Sequence, residues 1–334
     1  PPAASLRPSG FRVEDAWPNA RCANTCTNAA LGFATNIEIN RGSLNGAVYH
    51  AVAGRIGGSI AVLRCQNKDC TAFASPTSEI VNPSLSEDGK RVNLDMAFLP
   101  NTSYRVLIYS DANGLRSAEG NNLVNNNYDT NNDGQKDAYS WNFSVGANAC
   151  ALARLELDKP NLSLYEGTSG NLEARGYARP DSCSSNAGQL LKSDSLAGLN
   201  WSARAYSVGD IEAECAAATA PMVNGRPVLT VNNSQTNINS ISAQSGTTAG
   251  TRALACVASA DNAIKTASTV TVLAKCASDS DCVNAGQCPN SSCNRTTGRC
   301  LPVINDAYPP SGAIGTWVTV DGCYFGNDYH ACAL

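Results

Sequence analysis

The feature that most constrains this chain is a two-residue alternation of apolar and polar side chains, with no competing helical stripe from residue 31 to 145. Tyr139, Trp141, Phe143 and Val145 are separated by Ser140, Asn142 and Ser144. Val92, Leu94, Met96 and Phe98 alternate with Arg91, Asn93, Asp95 and Ala97, and after Pro100-Asn101 the pattern resumes at Tyr104, Val106 and Ile108. Side chains on a strand point to opposite faces in turn, so this period predicts half-buried β-strands stacked as a sandwich. Asp88-Gly89, ahead of the Val92 strand, supplies the positive φ that a tight hairpin turn requires.

The second constraint is sulfur. Fifteen cysteines are too many for a reducing compartment. The residues expected in disulfides are Cys22, Cys26, Cys65, Cys70, Cys150, Cys183, Cys215, Cys256, Cys276, Cys282, Cys288, Cys293, Cys300 and Cys323. Their spacing reads as local, Cys22 with Cys26 and Cys65 with Cys70, followed by a burst from Cys276 to Cys300. Zinc is the competing reading of Cys-x3-Cys and Cys-x4-Cys. The two pairs are far apart in sequence and only two histidines exist, so disulfides are preferred. The odd total leaves at least one thiol free or paired outside the chain.

Five segments follow. Residues 1–30, with Pro1, Pro2, Pro8 and Pro18, read as an extended arm or the end of a preceding module. Residues 31–148 form the first sandwich and 149–275 a second, in which Leu172, Ala174 and Gly176 share a face and Trp201 lies in a short strand. There too, Ala253, Ala255 and Val257 alternate with Leu254 and Cys256. Residues 276–302 carry too little apolar material for a core and need cross-links to hold a shape. Residues 303–334 begin another β pattern (Trp317, Thr319 and Asp321 against Val318 and Val320), expected to be either a partial domain or a strand donated to a neighbour.

Three stretches resemble known families. Leu99-Pro100-Asn101-Thr102-Ser103-Tyr104-Arg105-Val106, then Gly120-Asn121-Asn122-Leu123 and Tyr139-Ser140-Trp141-Asn142-Phe143-Ser144-Val145, resembles bacterial Ig-like domains of S-layer type. Leu172-Glu173-Ala174, Asn200-Trp201-Ser202 and Ser268-Thr269-Val270-Thr271-Val272 are similar to the bacterial Ig-like family of intimin-type adhesins. Pro309-Pro310-Ser311-Gly312 through Gly315-Thr316-Trp317-Val318-Thr319-Val320-Asp321-Gly322 to Phe325-Gly326 resembles the opening of an IPT/TIG domain. These resemblances imply an all-β chain of tandem immunoglobulin-like β-sandwich domains with a disulfide-rich linker, exported to the cell surface, without catalytic residues. The cysteine density departs from ordinary members of these families.

One motif carries chemistry. In Asp129-Thr130-Asn131-Asn132-Asp133-Gly134-Gln135-Lys136-Asp137, oxygen-bearing side chains fall at alternate positions, with glycine sixth. Calcium takes six to eight oxygens at about 2.3–2.6 Å, and such a loop offers Asp129, Asn131, Asp133, the Gln135 carbonyl and Asp137. Position twelve is Ser140 where the helical calcium loops place glutamate, so the resemblance is to helix-free calcium loops of extracellular repeats. The alternative is a polar, turn-rich loop. The expected cofactor is structural calcium.

Other candidates point away from catalysis. His50 falls in a probable strand, and His330 has no recognisable partner motif. Asp210 and Glu212 read as solvated surface, and Gly54–Gly58 as a turn. Asn-x-Ser/Thr sequons occur at Asn101, Asn142, Asn161, Asn200, Asn232, Asn290 and Asn294. Only 16% of residues are charged and the net charge is −4, with no Lys/Arg cluster to displace phosphate counterions, so nucleic acid is excluded. No run approaches eighteen apolar residues, so no transmembrane segment is expected in this chain, and any signal peptide is expected to have been removed already. The expected function is that of a non-enzymatic, extracellular structural protein that self-associates into a surface fibre, filament or array. The runner-up is an adhesin for a host protein or glycan ligand, with Tyr109, Tyr128 and Tyr165 as aromatic candidates. The third reading is an accessory part of a larger secreted protein.

Overall fold

The computed structural model describes residues 10–20, 22–50, 54–79, 81–181, 183–184, 188–206, 215, 219–232, 236–273, 275–276, 278–282, 291–296, 298–301, 303–308 and 319–323. The described elements are β-strands and three short 3-10 turns. The chain divides into two compact units, one made of Pro8–Arg154 and Gly176–Leu196, the other including Leu155–Arg175 and Ala197–Leu334.

Strands of the first unit are β1 (Val13–Trp17), β2 (Gly32–Thr35), β3 (Val48–His50), β4 (Gly54–Ile56), β5 (Ile60–Cys65), β6 (Phe73–Glu79), β7 (Asn82–Leu85), β8 (Arg91–Asp95), β9 (Ser103–Tyr109) and β10 (Ala138–Ser144). They form two four-stranded sheets, ordered β1-β2-β8-β7 and β10-β9-β5-β6. In immunoglobulin terms these are A-B-E-D and G-F-C-C′. The core lies between them, where the rings of Phe98, Tyr104 and Phe143 meet at centroid distances of 5.3–5.7 Å. Tyr104 is fully buried, and its hydroxyl accepts the Leu99 N–H at 3.0 Å. That return bond from the start of strand F to the backbone just upstream is the tyrosine corner of Ig-like sandwiches.

The hairpin expected at Asp88-Gly89 is present. β7 and β8 pair antiparallel, Gly89 sits at φ +69°, and its N–H donates to Ser86 O. Gly54–Gly58 is only partly a turn, because Gly54–Ile56 pairs with β3 and the positive φ values belong to Gly57 and Gly58.

The second unit holds β11 (Arg154–Leu157), β12 (Asn161–Tyr165), β13 (Ser169–Tyr177), β14 (Asn200–Ala205), β15 (Met222–Val223), β16 (Arg226–Pro227), β17 (Leu229–Val231), β18 (Ile238–Ala243), β19 (Arg252–Ala258) and β20 (Lys265–Leu273). Its sheets are β11-β13-β18-β17 and β12-β20-β19-β14. β12 pairs with β20 in parallel, as an A′ strand does beside G when the first strand switches sheets. Leu172, Ile241, Ala253, Ala255, Val270 and Val272 fill the core, and Trp201 packs against it. The chain is therefore all-β, with tandem immunoglobulin-like sandwiches.

The remaining short pairs are β21 (Cys293–Asn294) with β22 (Arg299–Cys300), and β23 (Val303–Tyr308) with β24 (Thr319–Cys323). Cys276–Cys293 and Cys282–Cys300 hold the cysteine-rich segment, as a stretch without an apolar core requires.

Three expectations need correction. Residues 10–30 are not an arm. β1 is a strand of the first sheet, Phe11 is fully buried, and Asn125 clamps Val13 by accepting its N–H and donating to its carbonyl. Cys22 and Cys26 do not pair with each other; Cys22 is bonded to Cys183 and Cys26 to Cys150. Nor does the first unit end at residue 148, because 150–154 and 176–196 belong to it. Leu191 and Ala178 join its core, Ala30 N–H donates to Leu190 O, and Lys192 N–H donates to Asn28 O. The local pair Cys65–Cys70 is as expected, and Cys215 is bonded to Cys256. Cys288 lies outside the described residues, as does the side chain of Cys323.

Candidate functional site

The Asp-rich motif is the tip of the connection between β9 and β10. Three consecutive asparagines bring it there. Asn125 clamps β1, Asn126 Nδ2 donates to Ser110 Oγ at 2.6 Å, and Asn127 makes a two-way amide clasp with the Ser140 backbone at 2.7 and 2.9 Å. Tyr128 then bridges Ala138, closing a hairpin whose loop is residues 129–137.

Within the loop, each oxygen-bearing side chain turns back on the backbone ahead of it. Asp129 Oδ2 accepts the Gly134 N–H at 2.8 Å, and its Oδ1 accepts the Asn131 N–H at 3.3 Å. Asn131 Oδ1 accepts from Asp133 N–H, and Asp133 Oδ1 from Gln135 N–H. Gly134, at φ +89°, makes the turn that a Cβ would strain. Desolvation pushes the Asp129 carboxyl upward, but N–H donors from Gly134, Asn132, Asn131 and Asp133 outweigh it and hold the group below the usual aspartate value.

As ligands, Asp129, Asn131 and Asp133 fit a hard cation: all are oxygen donors, and each carboxylate retains lone pairs beyond its backbone bonds. Asp137 stands differently, accepting from Thr130 N–H and Thr130 Oγ1. The three carboxylates do not meet as a cluster. Among the described residues, the group of three metal-ligating side chains within 4.8 Å of one another is Cys276, Cys282 and Cys293. Those sulfurs are already in disulfides, which excludes the thiolate-metal reading there.

Of the aromatic candidates for glycan contact, Tyr165 is half-buried in β12 of the second unit, and the two in the first unit are covered by arginines. Tyr109 is buried beneath the Arg55 guanidinium, which also grips Asp111 at 2.9 and 3.0 Å. Tyr128 lies under Arg105. A cleft of about 290 Å³ in the first unit is lined by Asp15, Trp17, Arg91, Tyr177 and Gln189. Its volume is at the floor of the range for ligand sites, and Arg91 already lies 4.5 Å over the Trp17 ring.

His50 is the last residue of β3; His330, Asp210, Glu212 and Asn290 lie outside the described residues. Of the remaining sequons, Asn101, Asn161, Asn200 and Asn232 are exposed, Asn294 is half-buried in β21, and Asn142 accepts from Arg105 Nε within β10. Among the described residues no helix is long and apolar enough to cross a membrane.

No protein-family model matches the sequence, and neither does any curated protein. Solved structures do. The S-layer protein SbsC, domains 1–6, matches at 10% identity and a TM-score of 0.33, over 80% of this chain and 26% of that one. The polymeric Ig receptor ectodomain of a teleost fish matches at 9% identity and a TM-score of 0.30, over 76% of this chain and 96% of that one. Titin domains A168–A170 match at 7% identity and a TM-score of 0.23, over 80% and 66%. This chain thus spans about a quarter of the S-layer chain. Identities this low relate no individual side chains.

Proposed function

We propose that this chain is a non-enzymatic structural protein of the cell surface, which associates with copies of itself into a fibre, filament or layer. The observation that supports this most is covalent. The tandem sandwiches carry six described disulfides, two of them closing loops of more than a hundred residues. Such a design belongs to an oxidising, exposed setting and resists unfolding where nothing refolds the chain. The S-layer-type and intimin-type resemblances of the two sandwiches agree with it.

Residues 10–30 are committed to their own sheet, so the proposed self-association falls to the 303–334 segment, where β23 and β24 pair. We also propose that the loop of Asp129, Asn131, Asp133, the Gln135 carbonyl and Asp137 takes calcium, with a structural role just before β10. The test of assembly is electron microscopy of the protein as isolated, with sizing over a wide concentration range. Ordered fibres or sheets support the reading. A compact monomer at every concentration defeats it.

A further inference from the structure

We infer that a pull on the two ends of this chain is carried by its disulfides and bypasses β2 to β10 of the first sandwich, a span that is thereby covalently inextensible. The inference uses covalent connectivity and stands apart from the surface role proposed above.

Cys22 is bonded to Cys183 across a sequence separation of 161, with the two Cα atoms 4.8 Å apart. Tension entering at the N-terminus therefore passes from residue 22 to residue 183 through one S–S bond. Every strand from β2 to β13 lies between those residues and carries no load. Within the first unit, β1 lies before Cys22 and residues 188–196 lie after Cys183, so these two pieces stay on the load path. A sheet under tension yields when its hydrogen-bonded ladder shears or unzips; a covalent bridge parallel to it removes the force before that point.

The second bridge is nested inside the first. Cys26–Cys150 has a separation of 124 and stays off the load path while the outer bond is closed. If the outer bond opens, the inner one takes the load, and the slack released is the difference between separations of 161 and 124, which is 37 residues. At roughly 3.5 Å per extended residue, that is about 130 Å, against about 560 Å when both bonds are open. Nesting makes loss of the outer bond a small extension and keeps β2 to β10 unloaded. The same logic applies on a smaller scale in the second unit, where Cys215–Cys256 bypasses β15 to β18.

The experiment stretches the oxidised full-length protein between handles at its two ends in an optical trap. The comparison set is Cys26→Ser/Cys150→Ser, Cys22→Ser/Cys183→Ser, the quadruple variant, and wild type in dithiothreitol. Residues 184–334, which follow Cys183, contribute to all oxidised samples alike, so the differences are read. Wild type and the inner-pair variant should reach the same stretched length. The outer-pair variant should be about 130 Å longer and the quadruple variant about 560 Å longer, with unfolding steps of β2 to β10 seen only in the quadruple variant and in reductant. These lengths follow from connectivity and hold even for a variant that packs poorly. Non-reducing peptide mapping of each sample reports the bonds present. A wild-type chain that extends by the full 560 Å before reduction overturns the inference. So does an outer-pair variant as long as the quadruple, or a wild-type map joining Cys22 to Cys26.

Discussion

Gln189→Leu probes how the returning 176–196 segment is welded to the first unit, and its cost can be worked out bond by bond. Gln189 is 5% exposed, and its Oε1 accepts the N–H of Cys26, itself 2% exposed, at 2.9 Å. Its Nε2 donates to Asp181 Oδ2 at 2.6 Å and to Asn24 O at 3.2 Å. Leucine nearly preserves the volume, so no sizeable cavity term arises. Asp181 and Asn24 are exposed, and water replaces what they lose. The Cys26 N–H is enclosed and is left without an acceptor, which costs about 1–3 kcal/mol. For a unit of this size, each kcal/mol lowers the melting temperature by roughly 2–4 °C. Calorimetry should therefore show one transition falling by about 2–12 °C while the other stays in place. Hydrogen exchange should place the lost protection around residues 22–30 and 189–192, with 252–273 unchanged. A transition that moves by less than a degree, or lost protection confined to the second unit, would refute the claim that this returning segment is part of the first core.

Three further outcomes are expected. Phe143→Ala removes a side chain that is 1% exposed and touches the rings of Phe98 and Tyr104, so chemical denaturation should show a loss of about 3–5 kcal/mol in the first unit. Burial pushes the Asp181 carboxyl upward, but bonds from Ser184 Oγ, Gln189 Nε2 and the N–H groups of Cys183 and Ser184 outweigh it and leave the group below its ordinary value. A depressed aspartate stabilises the fold above the unfolded value near 3.9, and that stability disappears as pH falls through the folded value. Asp181→Asn should thus lower the urea midpoint at pH 7 and converge with wild type toward pH 2–3. Calcium at about a hundred times its dissociation constant should stabilise the first unit by about 2.7 kcal/mol, an effect removed by chelator and absent in Asp129→Ala/Asp133→Ala, as read by calorimetry.

Alternation exposed the strands whose outer face is wet and missed the rest for a physical reason. In β10, Trp141 and Phe143 turn inward and Ser140, Asn142 and Ser144 outward, so the period shows. Ile60, Ala61, Val62 and Leu63 of β5 are all buried, because the outer side of their sheet carries a second apolar cluster of Ala47, Leu63, Leu107, Tyr109 and Ala138. Leu254 and Cys256 of β19 are likewise enclosed beside Cys215. A strand covered on both faces has no polar phase to report. The calcium-type loop was legible as a string of donors, but the turn of Asp137 toward Thr130 depends on the hairpin closed at Tyr128, which no local pattern encodes.

The cysteine pairing shows where short-range reasoning fails. Closing a loop of five residues takes little chain entropy, which favours reading Cys22 with Cys26. The native partner, however, is whichever sulfur the packed sheets bring within about 5–6 Å Cα to Cα, whatever its distance along the chain. A signal for this was present. Cys150, Cys183, Cys215 and Cys256 each stand more than thirty residues from one another with no close companion, so at least some bridges had to be long. Cys150 and Cys183 flank the segment that leaves the first unit and returns to it, and each is bonded to one member of the apparent local pair. Two neighbouring cysteines that draw partners from either end of an excursion fix both its ends on one sandwich. A bond between Cys22 and Cys26 would have closed only a turn and left residues 176–196 held by packing and hydrogen bonds alone.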